Sequence, residues 1–143
     1  MSFNVLIVDD SNSMRAVIKK IVTISGFQMD TCLEAGNGRE AMELLATNWV
    51  DVIISDINMP EVNGLELLDQ LKKNDTLKEI PVIMITTEGS SERMQEAFGR
   101  GAKGFIKKPF LPEEIKKVLY QVIGVGENGE YKEDTRNADE LDF

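Results

Sequence analysis

Apolar residues fall into two alternating rhythms along most of the chain. Short unbroken runs predict buried strands, because strands covered on both faces read as continuous hydrophobic stretches. Such runs are FNVLIV at Phe3–Val8, Asp51–Ser55, Ile80–Ile85 with Pro81 near its start, and KGFIK at Lys103–Lys107. Gln28–Glu34 is more polar and predicts a weaker strand near an edge. Between these runs the apolar positions recur every three or four residues, the spacing of one helical face. Met14, Val17, Ile18, Ile21 and Val22 mark a first helix, which Gly26 stops. Ala41, Leu44 and Leu45 mark a second after the Asn37-Gly38 turn. Leu65, Leu68 and Leu71 mark a third, opened by Asn63-Gly64. Met94, Ala97 and Phe98 mark a short fourth, capped by Ser90 or Ser91 and ended by Gly99 and Gly101. Ile115, Val118, Leu119 and Val122 mark the last, with Pro112 and Glu113 suited to its first turn.

Five strands alternating with five helices predict an α/β fold, a doubly wound five-stranded parallel sheet covered on both faces. Ligands of such sheets bind beyond the carboxyl ends of the strands. The alternation runs over residues 1–123 without repeat or linker. From Gly124 the composition changes: residues 124–143 hold seven acids against two bases, which leaves −4 of the formal −9 for residues 1–123. That stretch predicts a disordered acidic tail.

Composition narrows the chemistry. With 143 residues, 42% apolar and 29% charged, the chain suits one soluble domain. Its acidity opposes nonspecific binding to nucleic acid or to an anionic membrane. No apolar run reaches the roughly 20 residues of a membrane span, and no signal peptide opens the chain, so a cytoplasmic location is expected. There is no histidine, which removes His bases, Ser/His triads and His-ligated metals. The single cysteine, Cys32, excludes an internal disulfide and a thiolate zinc cluster. Cys32 and Trp49 are read as structural, and Trp49 as a useful fluorescent reporter if it lies near the site.

Placing each polar residue at its strand end assembles a candidate site. Asp9 and Asp10 follow the first strand, Asp56 the third, Thr86 the fourth and Lys108 the fifth. Three carboxylates crowded together repel unless a cation is present. Oxygen ligands without His or Cys select a hard ion, Mg²⁺ or Mn²⁺. Asn58 can add a backbone carbonyl or a side-chain contact. A metal beside a carboxylate suits phosphoryl transfer to that carboxylate. Asp56, single and central, is then the nucleophile, and Asp9 and Asp10 are metal ligands. Lys108 and the Thr86 hydroxyl hold the remaining phosphoryl oxygens. The competing reading is a set of unrelated solvated acids at loop starts.

These segments together resemble the receiver domain of bacterial response regulators, most closely the CheY-like chemotaxis regulators. The match lies in VDDSNSMR after the first strand, DINMPEVNG in the middle, ITTE after the fourth strand and GAKGFIKKPF at the fifth. It covers about residues 3–123, in order. The resemblance implies a flavodoxin-like (βα)5 receiver fold over residues 1–123. It implies phosphorylation of Asp56 by a histidine kinase, with Mg²⁺ held by Asp9, Asp10, Asp56 and the backbone of Asn58. It further implies that Lys108 contacts the phosphoryl group through a segment with a cis bond to Pro109. Thr86 and Phe105 match the family's switch hydroxyl and switch aromatic. The aromatic is often Tyr in motor-binding members. Asn58 and Glu88 stand at the two variable positions that tune dephosphorylation, with the residue types of a fast-cycling regulator.

A phosphoryl group on Asp56 would draw Thr86 towards it, and Phe105 would fill the vacated space, changing the surface of the fourth helix, fifth strand and fifth helix. The expected output is protein–protein contact by a monomer, with a flagellar switch protein as target. A stand-alone phosphorelay or cell-cycle receiver without a motor target is the alternative. An aspartyl-phosphate phosphatase ranks lower, since Asn58 stands where such an enzyme needs a second acid. A flavin module on the same fold is a further alternative, opposed by Asp9-Asp10, which would repel its phosphate without a metal. The acidic and apolar ending, with Asp139, Leu141 and Phe143, is similar to short peptides that dock on this family's output face. It is read either as a frayed tail or as a phosphatase- or adaptor-binding segment.

Overall fold

The computed structural model describes residues 2–59, 62–87 and 89–124. Strands and helices alternate along them: β1 (Phe3–Val8), α1 (Asn12–Ile24), β2 (Met29–Ala35), α2 (Gly38–Leu45), β3 (Val52–Asp56), α3 (Gly64–Lys72), β4 (Val82–Thr86), α4 (Ser91–Gly99), β5 (Gly104–Lys107) and α5 (Pro112–Ile123). The strands form one sheet in the order β2-β1-β3-β4-β5, with every neighbouring pair parallel. The polar strand β2 lies at an edge, as its composition predicts, and β3 is central.

The apolar runs conceal a strict alternation between the two faces of the sheet. Phe3, Val5 and Ile7 of β1 point into one core with Val52 and Ile54 of β3 and Ile83 and Ile85 of β4, under α1 and α5. Leu6 and Val8, Ile53, and Val82 and Met84 point the other way, into a core closed by α2, α3 and α4. Most of these side chains are fully buried. Each contributes about 1.5–3 kcal/mol relative to exposure.

The helices begin at the carboxyl edge of the sheet, and their caps organise it. Ser11 accepts from the Met14 amide, Asn37 from Glu40 and Ser90 from Arg93. Asn63 and Glu66 form a reciprocal capping box. α5 instead starts at Leu111-Pro112, with the Glu114 carboxylate accepting from the Leu111 amide. Gly124, at φ +86°, closes α5.

Several packing expectations are corrected. Val17 is 46% exposed, so the buried face of α1 is Ile18 and Val22, with Met14 and Ile21 half-buried. Five apolar positions spread over more of the helix than one sheet contact covers. Phe98 is exposed, and α4 buries only Ala97. Gly99 is the last residue of α4, and Gly101, at φ +110°, makes the turn beyond it. On α5 the buried set is Ile115, Leu119 and Tyr120, with Val118 and Val122 at the margin. Tyr120 packs on Phe27, which stacks on Phe3, at ring separations of 5.1 and 5.5 Å. The strand starting after Pro81 begins at Val82, because Pro81 has no N–H for the ladder and only its carbonyl takes part, accepting from Ile53.

Two glycines separate close approach from simple helix composition. The Gly64 amide donates to the Ile57 carbonyl, and a Cβ on Gly64 would lie 2.3 Å from the Asp56 carbonyl oxygen. A Cβ on Gly99 would meet nothing within 4 Å. Gly64→Ala is therefore expected to cost at least about 2 kcal/mol, because two backbone segments must part. Gly99→Ala is expected to be neutral or slightly stabilising. Urea unfolding of the two variants checks this; equal midpoints would contradict it.

Candidate functional site

Asp9 follows β1 directly, Asp56 is the last residue of β3, Thr86 the last of β4, and Lys108 follows β5. Parallel pairing brings all four to one rim. One oxygen each from Asp9, Asp10 and Asp56 lies within 4.8 Å of the others, a spacing that could hold a metal ion. Asp9 is buried, at 2% exposure, Asp56 is half-buried and Asp10 is exposed. The Lys108 ammonium reaches into this cluster, 3.2 Å from Asp9 Oδ2 and 3.5 Å from Asp56 Oδ2. Three carboxylates and one ammonium leave a formal charge of −2, which one divalent cation offsets. Every candidate ligand is oxygen, the preference of a hard cation such as Mg²⁺.

Asp9, Asp56 and Lys108 are each held by their neighbours. Asp9 Oδ1 accepts from the Ser11 amide at 2.9 Å, and the Asp9 amide donates to Ala35. The Asp9 carbonyl accepts from Arg15. Arg15 also reaches Asn12 on the first turn of α1 and pairs with Glu34 of β2 at 3.0 Å. Asp56 Oδ1 accepts from the Asn58 amide at 3.4 Å. The Lys108 amide donates to the Thr86 carbonyl at 2.8 Å, and the Lys108–Pro109 bond is cis, as the resemblance implies.

Burial pushes the Asp56 carboxyl above the ordinary carboxylate range. Lys108 pulls it down, Asp9 pushes it up, and the amides of Asn58 and Ile57 pull it down, but desolvation dominates. A half-desolvated carboxylate of raised basicity, beside an ammonium and a cation-binding cluster, is chemically equipped to be a nucleophile.

Thr86 is fully buried, one residue along β4 from Ile85, the partner of Asp56. Phe105 is half-buried on β5, opposite Met84, and packs against the core on the α4 side. Lys107 is exposed, as expected. Glu88 and the tail residues Asp139, Leu141 and Phe143 lie outside the described residues. Trp49 is 61% exposed, and its indole donates to Asp51 at 3.1 Å. It precedes β3 whereas Asp56 ends it, so it stands at the amino edge of the sheet and not beside the site.

Two contributors carry little signal in the sequence. Arg15 lies within the quoted VDDSNSMR segment, but its fork across three elements depends on β2 lying beside β1. Gly64 was visible as a helix opener, but not as the point where α3 meets the backbone of Asp56. A small residue a few positions beyond a strand-end acid is the signal that could have raised it.

Removing the Asp56 charge gives a pH test. A carboxyl with a folded pKa above its unfolded value binds more protons in the native state, so its contribution to stability falls as pH rises through the window between the two. Asp56→Asn is expected to melt higher than the parent at pH 7 in chelator, with the difference shrinking as pH falls towards the ordinary carboxylate range. A constant difference across that range would contradict the burial effect.

Comparison with known proteins agrees with this geometry. Residues 5–120 match the response regulator receiver domain family. The chain is 43% identical over 122 residues to a chemotaxis protein CheY homolog of Campylobacter jejuni, covering 85% of this chain and 92% of that one. It is likewise 43% identical over 123 residues to chemotaxis protein CheY1 of Helicobacter pylori, covering 85% and 98%. The solved structure of the chemotaxis response regulator CheY4 of Vibrio cholerae superposes with a TM-score of 0.75 at 38% identity, covering 85% of this chain and 99% of that one.

Proposed function

The chain belongs to the response regulator receiver domain family, and on that premise we propose that it is a chemotaxis regulator switched by phosphorylation of Asp56. The observation that carries the reading is the cluster of Asp9, Asp10 and Asp56 within 4.8 Å, with the Lys108 ammonium between two of them. In this reading residues 1–123 form the receiver unit and a histidine kinase is the phosphodonor. Chemotaxis is supported by the relatives from Campylobacter and Helicobacter, which are chemotaxis proteins, and a flagellar switch protein is the proposed target.

Asp9, Asp10, Asp56 and the Asn58 carbonyl would hold Mg²⁺, which supplies charge neutralisation between the carboxylate and an incoming phosphoryl group. Asp56 supplies the attacking oxygen. One of its oxygens bonds to phosphorus as the bond from phosphorus to the donor nitrogen breaks, and the donor leaves with its electron pair. Lys108, already 3.5 Å from Asp56 Oδ2, turns to a phosphoryl oxygen. Thr86 adds its hydroxyl to another. Aspartyl phosphate is then a charged group at the end of the central strand, and its pull on Thr86 reaches Phe105 through the β4–β5 pairing. Asn58, exposed at the mouth of the site, stands where it can affect water attack and the lifetime of the phosphate; the same tuning role for Glu88 rests on the family resemblance alone.

The membership describes a signalling protein rather than a conventional enzyme; the chemistry proposed is the chain's own phosphorylation. No helix among the described residues is long and apolar enough to cross a membrane. The cytoplasm is the proposed location.

Incubation with acetyl phosphate and Mg²⁺, followed by intact-mass analysis, tests the reading. One phosphoryl adduct per chain is expected, abolished by chelator and by Asp56→Asn. Lys108→Ala is expected to slow its appearance by at least about 100-fold, the order of effect of losing one charge-stabilising donor. An unchanged adduct on Asp56→Asn would overturn the assignment.

A further inference from the structure

Asp10 differs from its two companions. Asp9 is fixed at its amide, its carbonyl and both carboxylate oxygens, and Asp56 is fixed by β3, Lys108 and the Asn58 amide. Asp10 is exposed, and among the described residues its carboxylate has neither a hydrogen bond nor an ion pair. What brings its oxygen within 4.8 Å of the others is therefore the path of the backbone, set by the peptide unit between Asp9 and Asp10.

The oxygen of that peptide unit is the atom Arg15 holds. Arg15 itself is firmly placed. Its Nε pairs with Glu34 Oε1 at 3.0 Å, a second nitrogen reaches Asn12 Oδ1, and the third donates to the Asp9 carbonyl. Its side chain is only 12% exposed. The planar guanidinium thus spans the end of β1, the first turn of α1 and the edge strand β2, a set of directions that a lysine cannot satisfy. Rotation of the Asp9–Asp10 peptide would break the bond to Arg15 and swing the Asp10 carboxylate away from the cluster.

We propose that Arg15, anchored by Glu34, is a positioning residue for the cation site, acting by locking the Asp9–Asp10 peptide so that Asp10 stays in reach of the metal. The inference rests on the metal reading above and deepens it. Residues that orient a ligand without touching the metal commonly contribute tenfold or more to affinity. Here the orienting group has the sign of the cation, so its bare charge would weaken metal binding; only its geometric effect strengthens it.

Mg²⁺ titration by calorimetry on the full chain tests this. Glu34→Ala, on the partly exposed edge strand, removes the anchoring oxygen with little risk to the fold, and Arg15→Lys keeps the charge but loses the fork. Each is expected to weaken Mg²⁺ binding about tenfold, while thermal melting in chelator confirms folding. In an Asp10→Ala background, whose own binding is weaker, adding Glu34→Ala is expected to change the affinity by less than about twofold, because the ligand being positioned has gone. That loss of effect is what a general destabilisation would not produce. Unchanged affinity in both single variants, or a tenfold effect persisting in the Asp10→Ala background, would overturn the inference while leaving the metal site standing. A parent protein that bound no Mg²⁺ would overturn both.

Discussion

Lys108 reaches from the end of β5 into the acidic cleft and places its ammonium 3.2 Å from Asp9 and 3.5 Å from Asp56. A parallel sheet ends all its strands on one side, so acids that terminate β1 and β3 are forced together. Asp9 is almost fully buried, and a buried carboxylate stripped of its partner is destabilising by about 3–5 kcal/mol. The ammonium makes the crowding tolerable without removing it. Asp56 stays above the ordinary carboxylate range, because desolvation outweighs the attraction of Lys108. The site is held short of full neutralisation, and that residual negative charge is what a divalent cation can satisfy.

The remainder of the domain supports this arrangement. Two apolar layers clamp the sheet, so strand ends have little freedom to spread apart. Helix caps at Ser11, Asn63 and Ser90 fix the loops around the rim. Gly64 lets α3 start against the backbone of Asp56. In the proposed switch, the movable parts are the ones with the least anchoring. α4 buries only Ala97, and Phe105 is half-buried beside it. A phosphoryl group that changed the position of Thr86 would act on this lightly held side of the sheet, whereas the α1 and α5 face is packed through the Phe3, Phe27 and Tyr120 rings.

Much of this was legible from residue order alone. Continuous apolar runs separated by helical periodicity can form little other than a doubly wound sheet, and strand ends in such a sheet converge. That alone brings Asp9, Asp56, Thr86 and Lys108 together at one rim. Packing detail was less legible, because it depends on how wide a stripe each helix presents. Val17 and Phe98 fit a helical period yet face solvent, since α1 and α4 touch the sheet along narrower lines than their apolar residues cover. Contacts between backbones, such as Gly64 against Asp56, and forks across elements, such as Arg15, leave no periodic trace. They follow from three-dimensional proximity, which no spacing along one segment encodes.

The central claim is that a charge placed on Asp56 is transmitted through Thr86 and Phe105 to the α4 side of the domain. Backbone amide spectra of the Mg²⁺-loaded protein, with and without beryllofluoride as a stable stand-in for the phosphoryl group, test it directly. The account predicts displaced resonances at Thr86, at Phe105 and along α4, as well as in the loops around Asp10 and Asn58. Displacements confined to those two loops, with Thr86, Phe105 and α4 unchanged, would contradict it.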